Sequence, residues 1–430
     1  MTPAPSAVAA GTFRSLRIYN YRVWASGAIV SNVGTWMQRT AQDWLVLTQL
    51  THHNATAVGI VMSLQFGPTA LLLPFTGFVA DHFDRRKVLI ATQAAMGLLA
   101  LGLGILTLGG WVQLWQVYVF ALCFGCATAF DAPARQTFVS EMVGEGDLSN
   151  AVALNSTSFN AARLIGPAVA GLLIAVVGTG WVFLINAISY LAVLVSLKLM
   201  RVHELHRGVK APRRPGSFVE GFRYVWRRPD LKVLLLMMFL IGTFGLNFPI
   251  FLSTMSVTVF HVGSREYGLL ASTMAVGSVA GALLSARRAK PRPSLLIGGA
   301  TVFGCGMAVA AVMPSFGLFA AVLVVVGISV QTFNTTSNST LQLSTEPAMR
   351  GRVMAIFMAI ALGGTPIGAP LVGWVADRFG ARWSLGVGAA SGILAALAGI
   401  HYLVKHRKLR MHIAGRRVRF SLDKATHPTV

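Results

Sequence analysis

GFVADHFDRRKVL, from Gly77 to Leu89, joins two long apolar runs and places Arg85, Arg86 and Lys87 together at the junction. Such a segment reads as a short loop between two membrane-crossing helices, because Lys and Arg concentrate in cytoplasmic loops. The flanking runs, 56–80 and 87–109, are each long enough to cross a hydrocarbon core of about 30 Å. The pattern continues in both directions. Further apolar stretches lie at 23–49, 112–130, 150–177, 180–200, 231–259, 265–286, 294–313, 315–338, 351–376 and 383–404, twelve in all. At about 20 residues each, twelve crossings use about 240 residues and leave ample chain for loops.

Composition agrees with that count. Of the 430 residues 54% are apolar and 12% charged, against about 25% charged in an ordinary soluble domain, which excludes a soluble fold. The formal net charge of +22 would, in a soluble protein, raise nucleic acid as a partner. Topology explains it better. With both termini cytoplasmic, the inside segments hold 31 of the 36 Lys and Arg. The outside loops hold Arg265, Arg378 and Arg382, and Arg39 and Arg163 fall within helices. No nucleic-acid partner is expected.

The expected fold is therefore an all-α integral membrane protein with twelve transmembrane helices in two six-helix bundles. Its parts are a cytoplasmic N-terminus (1–22), a first bundle (23–200), a cytoplasmic linker (201–230), a second bundle (231–404) and a basic cytoplasmic tail (405–430). The first 22 residues include Arg14, Arg17 and Arg22 but no apolar run, so no cleavable signal is expected there. The linker contains Pro212, Arg213, Arg214, Pro215 and Gly216. The tail suits either contact with anionic headgroups or a solvated topology anchor. Three cysteines give no disulfide framework. Cys123 and Cys126 form a C-x-x-C, but a redox site needs an exposed, electropositive setting, so these and Cys305 are assigned to helix packing.

An internal repeat supports the six-plus-six division. At an offset of 202, Ile165, Gly166, Gly171, Gly178 and Trp181 match Ile367, Gly368, Gly373, Gly380 and Trp383. Parallel copies of this kind suggest a central cavity and alternating access by rocking of one half against the other.

The Gly77–Leu89 loop, with Asp81 four residues after Gly77 and a basic pair before the next span, resembles the signature loop of the major facilitator superfamily. The twelve spans, repeated halves and basic linker extend that resemblance over essentially the whole chain. The runs 20–47, 130–143 (FDAPARQTFVSEMV) and 162–173 (ARLIGPAVAGLL) resemble the branch of bacterial exporters that includes the enterobactin exporter and multidrug efflux proteins. The resemblance implies a bacterial plasma (inner) membrane location and a cytoplasmic latch. In that latch Asp81 faces span 11, and Gly77, Arg85, Arg86, Asp131 and Arg135 complete the motif. On physical grounds Asp81 can accept from a helix N-terminus, and Arg85 is placed to reach Asp131. Asp84 stands where the family usually has Gly. A second string, GWVADRFGARW from Gly373 to Trp383, spells the motif more closely but lies after span 11, on the outside, and receives no latch role. The positional counterpart after span 8, GALLSARRAK from Gly281, keeps Arg287 and Arg288 but has Ser285 at the acidic position, so the latch is expected to be asymmetric.

Polar residues at bilayer depth cost about 2.5–3.5 kcal/mol or more when charged and mark cavities or pathways. In span 1, Asn32, Trp36, Arg39 and Asp43 share a helical face, and Gln38 and Gln42 form a neighbouring stripe. Asp43 is the only carboxylate well within an expected span. It is either a protonation switch or a static partner of Arg39. Asp43, Arg39 and Arg163 are the proton-coupling candidates; against coupling, span 4 carries no internal Arg, unlike the span 4 of many proton-coupled relatives. Span 5 carries Ser156, Asn160, Arg163 and Pro167 at helical spacing. Its Gly166–Pro167 pair resembles the exporters' span 5 motif, and Gly166, Pro167 and Gly171 are assigned to a flexible packing seam. Arg163 can attract an anionic substrate group or pair with Asp43. The substrate cavity is assigned to Asn32, Trp36, Gln38, Gln42, Phe66, Asn160, Asn247, Gln331, Asn334, Asn338 and Phe357, with Phe159, Met354 and Met358 nearby. Amides, aromatic faces and few charges favour bulky amphipathic ligands over sugars or small anions, although core packing is the ordinary role of each Met and Phe.

No nucleotide-binding loop occurs, and no metal-ligating cluster or nucleophile with a base is readable at membrane depth. The chain is not expected to be an enzyme, and neither cofactor nor metal is expected. The leading expectation is a monomeric exporter of drugs or secreted metabolites such as siderophores, using the proton gradient, with a small-molecule substrate and membrane lipids as partners. Uptake or lipid translocation by the same fold is the alternative.

Overall fold

A computed structural model describes residues 12–72, 75–76, 79, 82–206, 217–286, 292–407, 410–414 and 417–421. It is almost wholly helical. In chain order the helices are α1 (Tyr19–Leu45), α2 (Ala55–Leu71), α3 (Arg85–Leu108), α4 (Leu114–Gly144), α5 (Gly146–Val177), α6 (Thr179–Leu199) and α7 (Ser217–Arg227). They continue with α8 (Pro229–Val259), α9 (Ser264–Ala286), α10 (Pro293–Val312), α11 (Phe316–Ser344), α12 (Pro347–Phe379) and α13 (Ala381–Arg407). Among the described residues, ten helices are long and apolar enough to cross a membrane. The amphipathic α7 is not among them; α1 and α2 complete the twelve. The helix α1 falls short on hydropathy because of its buried polar stripe, which includes Asn20, Asn32, Gln38, Gln42 and Asp43.

Three boundaries differ from the sequence expectation. Span 4 does not stop at 130 but runs to Gly144, where a backbone at φ 66, ψ −178 separates α4 from α5. Asp131 is therefore inside a helix and 5% exposed, not at a helix end, and Arg135 lies on the same helix. The charge at Asp131 marks an inward polar face, not a helix stop. In the linker, α7 forms an amphipathic turn with Val225 buried and Phe222 and Trp226 exposed and stacked 5.6 Å apart. In the tail, strands β1 (Arg410–Ala414) and β2 (Arg417–Ser421) form an antiparallel hairpin, pairing Met411 with Phe420 and Ile413 with Val418. The cysteine assignment also fails: Cys123 and Cys305 are exposed and Cys126 is half-buried, so they sit on outward helix faces.

The chain forms two compact units. The first comprises Met1–Arg213, Phe248–Ala275 and Ala369–Ala381, so it gathers ends of α8, α9 and α12 with the helices of the first sequence half. Its core brings Tyr21, Trp24, Leu89, Phe138 and Leu197 together from α1, α3, α4 and α6. Asn20 ties the start of α1 to the end of α6, donating to the Arg201 carbonyl at 3.0 Å and accepting from its N–H at 2.8 Å. Two repeat positions explain themselves here: Gly178 and Gly380 close α5 and α12 at φ 85 and φ 99, a left-handed conformation that side chains with a Cβ rarely tolerate.

The second unit comprises Arg214–Asn247, Val276–Gly368 and Arg382–Val430. Phe303, Phe319 and Phe333 are fully buried in it. Arg228 donates to both Asp230 oxygens at 2.9 and 2.7 Å, and that carboxylate raises the guanidinium pKa further. Arg352 at the start of α12 pairs with Glu220 of α7 at 2.8 Å. In α8 the helix breaks at Leu246 and Asn247, between a π-turn and Phe248, next to Pro249, which has no N–H to continue the ladder.

Candidate functional site

The polar face of α1 meets aromatic rings and a second cation in the first unit. The Arg39 guanidinium lies 5.3 Å from the Trp36 ring centre and 4.8 Å from that of Phe66. Arg163 of α5 approaches the other side of the cluster, 5.7 Å from Trp36, and Phe159 meets Trp36 edge-on at 5.8 Å. Neither guanidinium forms an ion pair among the described residues, and the Arg39 Nε is buried with no hydrogen-bond partner. The static Arg39–Asp43 pair is thus not formed. Asp43, 5% exposed, sits one turn away while Arg39 turns to the rings.

The α5 stripe is open. Ser156, Asn160 and Arg163 are all exposed, with Phe159 49% exposed beside them. A guanidinium facing hydrocarbon carries a large cost, so an Arg within a span ordinarily faces the bundle interior or a cavity. Asn160 donates to the Ser156 carbonyl at 2.8 Å.

Asn32 and Gln38 are less open than expected. Arg135 donates to the Asn32 Oδ1 at 3.1 Å and grips Asp131 Oδ2 with two bonds, 3.0 and 2.8 Å. Thr92 and Gln93 donate to the other Asp131 oxygen at 2.9 and 2.7 Å. Asp131 is therefore fully occupied, and Arg85 does not reach it: Arg85 pairs with Glu141, one helical stretch further along α4, while Arg86 donates to the Leu197 carbonyl at 2.8 Å. Asp84 has a clear local task, accepting from the Lys87 N–H as the cap of α3. Gly77 and Asp81 lie outside the described residues, as do Arg287 and Arg288. Gln38, 4% exposed, accepts from Asn186 of α6, so it belongs to a packing seam rather than a cavity wall. Gln42 is buried with its Nε2 unpartnered.

The second unit holds the remaining amides. Asn247 is fully buried at the α8 break, donating to the Thr243 carbonyl at 2.7 Å with its oxygen unpartnered. On α11, Gln331 donates to Thr335 at 3.2 Å, Asn338 accepts from Gln342, and the Asn334 oxygen is buried without a partner. Phe357 is buried, and Met358 is exposed.

The repeat glycines mark helix crossings. A Cβ at Gly166 would lie 2.5 Å from the Trp36 Cβ, so α5 touches α1 backbone to backbone there. Its repeat mate Gly368 meets the Thr243 carbonyl of α8 more closely still. Gly171 packs on Ser264 at the start of α9, and its mate Gly373 packs on Ala55 at the start of α2, each 2.5 Å from a carbonyl oxygen by the same measure. One residue beyond this crossing pattern escaped the sequence reading. Asp377, four residues after Gly373, accepts from the N–H groups of Ala55 and Thr56 at 2.6 and 2.8 Å and from the Thr56 hydroxyl at 2.5 Å. Its signal in the sequence is the G-x-x-x-D spelling from Gly373.

Twelve spans, two repeated halves and a polar stripe within the spans are the features of a multi-pass membrane transporter. The family described as transmembrane secretion effector, within the major facilitator superfamily, matches residues 10–425, and the chain belongs to it. It is 25% identical over 392 residues to the staphyloferrin A transporter of Staphylococcus aureus, covering 90% of this chain and 96% of that one. It is 27% identical over 374 residues to the multidrug efflux pump Tap of Mycolicibacterium fortuitum, covering 82% and 88%. In fold it is similar to a POT family transporter solved in complex with a thioalcohol-conjugated peptide, with TM-score 0.74, 12% identity and 92% and 99% coverage.

Proposed function

We propose that this chain exports bulky amphipathic small molecules across a bacterial plasma membrane by alternating access and proton antiport, and that its substrates present an acidic group to Arg39 and Arg163. The observation that carries this reading is the cluster of two guanidiniums, free of carboxylate partners among the described residues, against Trp36, Phe66 and Phe159. An acidic aromatic compound would satisfy both at once, charge against guanidinium and ring against ring. The kinship with an efflux pump and a siderophore transporter supports small molecules as cargo. One proton moving down 100 mV supplies about 2.3 kcal/mol, enough for more than a tenfold concentration ratio. Asp43 is the proton carrier in this scheme.

Two xanthene dyes of similar shape and opposite charge test the substrate class. Purified protein should bind fluorescein, an anion, more tightly than rhodamine 6G, a cation. Arg163→Gln and Arg39→Gln should each weaken fluorescein about tenfold or more, the loss of one charge-assisted contact. Preference for rhodamine 6G, or fluorescein binding unchanged by both substitutions, contradicts the reading.

A further inference from the structure

Helix α2 begins with three N–H groups that no helical carbonyl can accept. Asn54, the residue before it, takes one, accepting from Ala57 at 2.9 Å. The other two, from Ala55 and Thr56, go to the carboxylate of Asp377 at the far end of α12, more than three hundred residues away in sequence. The partners are thus the first turn of the second span and the last turn of the eleventh. They meet at the end of the bundle opposite the basic loop before α3. Two helices can approach this closely only because Gly373 faces Ala55 and Gly59 faces Ala369 backbone to backbone.

We propose that Asp377 is the latch of the outer gate: its carboxylate, held against the positive N-terminus of α2, closes the outward mouth of the transport path, and its release lets that mouth open. This rests on the alternating-access reading above. It also gives the Gly373–Trp383 string a function, since its G-x-x-x-D spelling is the one that the sequence carries at Gly77–Asp81.

Two features make the latch breakable. Asp377 is exposed, so water can replace each of its hydrogen bonds as it leaves. Beside it, Thr51, His53, Thr254 and Thr258 line a polar pocket of about 390 Å³ with it, so the opening mouth is already polar. At the matching crossing of α5 on α9 no carboxylate comes from α5, where Ala175 stands 202 residues before Asp377: the start of α9 is capped by its own Glu266, which accepts from the Gly263 N–H at 3.1 Å, while Ser264 donates to the Gly171 carbonyl at 3.2 Å and Ser272 to that of Leu164 at 2.9 Å. The charged closure is confined to one of the two pseudo-symmetric crossings.

The test uses a single cysteine, Thr254→Cys, in a chain whose Cys123, Cys126 and Cys305 are replaced by alanine. Thr254 is 2% exposed in the closed arrangement, so its labelling in intact cells by a membrane-impermeant maleimide reports the open mouth. Asp377→Ala should speed labelling about tenfold, the scale of one lost helix cap, and Thr56→Val should speed it less. Gly373→Ala, a steric wedge, should speed it by an independent cause. Fast labelling in the wedge variant with native-like rates in Asp377→Ala and Thr56→Val overturns the latch and leaves alternating access standing. Slow labelling in every variant, with the protein present and folded by size-exclusion profile, overturns both.

Discussion

Arg39 and Asp43 stand one turn apart on α1 and make no salt bridge: the guanidinium lies 4.8 Å from the Phe66 ring centre and the carboxyl is 5% exposed. Breaking a buried ion pair costs about 3–5 kcal/mol because the abandoned charge remains. Here there is no pair to break. Asp43→Asn should therefore leave thermal stability within about 1 kcal/mol of the native protein, yet abolish substrate-dependent proton release in proteoliposomes. Unchanged proton release removes Asp43 from the mechanism; a collapse in stability assigns it a structural role.

Asp131 is the opposite case. Its two oxygens accept from Arg135, Thr92 and Gln93, and Arg135 extends the chain of contacts to Asn32 on α1. Asp131→Ala strands a largely buried guanidinium and two donors, for a loss of about 3–5 kcal/mol. A large drop in melting temperature, measured in detergent, is the expected result, with Arg135→Ala similar and the double substitution less than additive.

Gly166 separates packing from mere helix propensity. Alanine there sets a Cβ 2.5 Å from the Trp36 Cβ and 3.2 Å from the Val33 carbonyl, so α5 must back away from α1, at a cost of about 1–3 kcal/mol. Gly317, with nothing within 4 Å of its added Cβ, should accept alanine with no loss, and up to about 1 kcal/mol of gain from helix propensity. Efflux rates should fall for Gly166→Ala and hold for Gly317→Ala.

Much of the fold was legible because hydropathy and charge sidedness act locally. The twelve spans, the basic loops and the offset of 202 could all be read along the chain, and the repeat glycines proved to be helix caps and crossings. Charge misled at Asp131, where an inward polar face looked like a helix end. The site was legible only as faces: Asn32, Trp36, Arg39 and Asp43 share a stripe by spacing, but no spacing says that Arg39 prefers two rings to a carboxylate, that Gln38 is claimed by Asn186, or that Arg85 meets Glu141. Those choices are made by other helices. Asp377 was hidden for the same reason, since its partner lies in the other half of the sequence.

The central claim is tested most directly by transport against a gradient. In inside-out vesicles from cells producing this protein, acidifying the lumen should drive accumulation of fluorescein. A protonophore should abolish it, as should Arg163→Gln. Equal dye movement with and without the proton gradient, or movement indifferent to Arg163, contradicts a proton-driven exporter that recognises its cargo through this guanidinium and aromatic cluster.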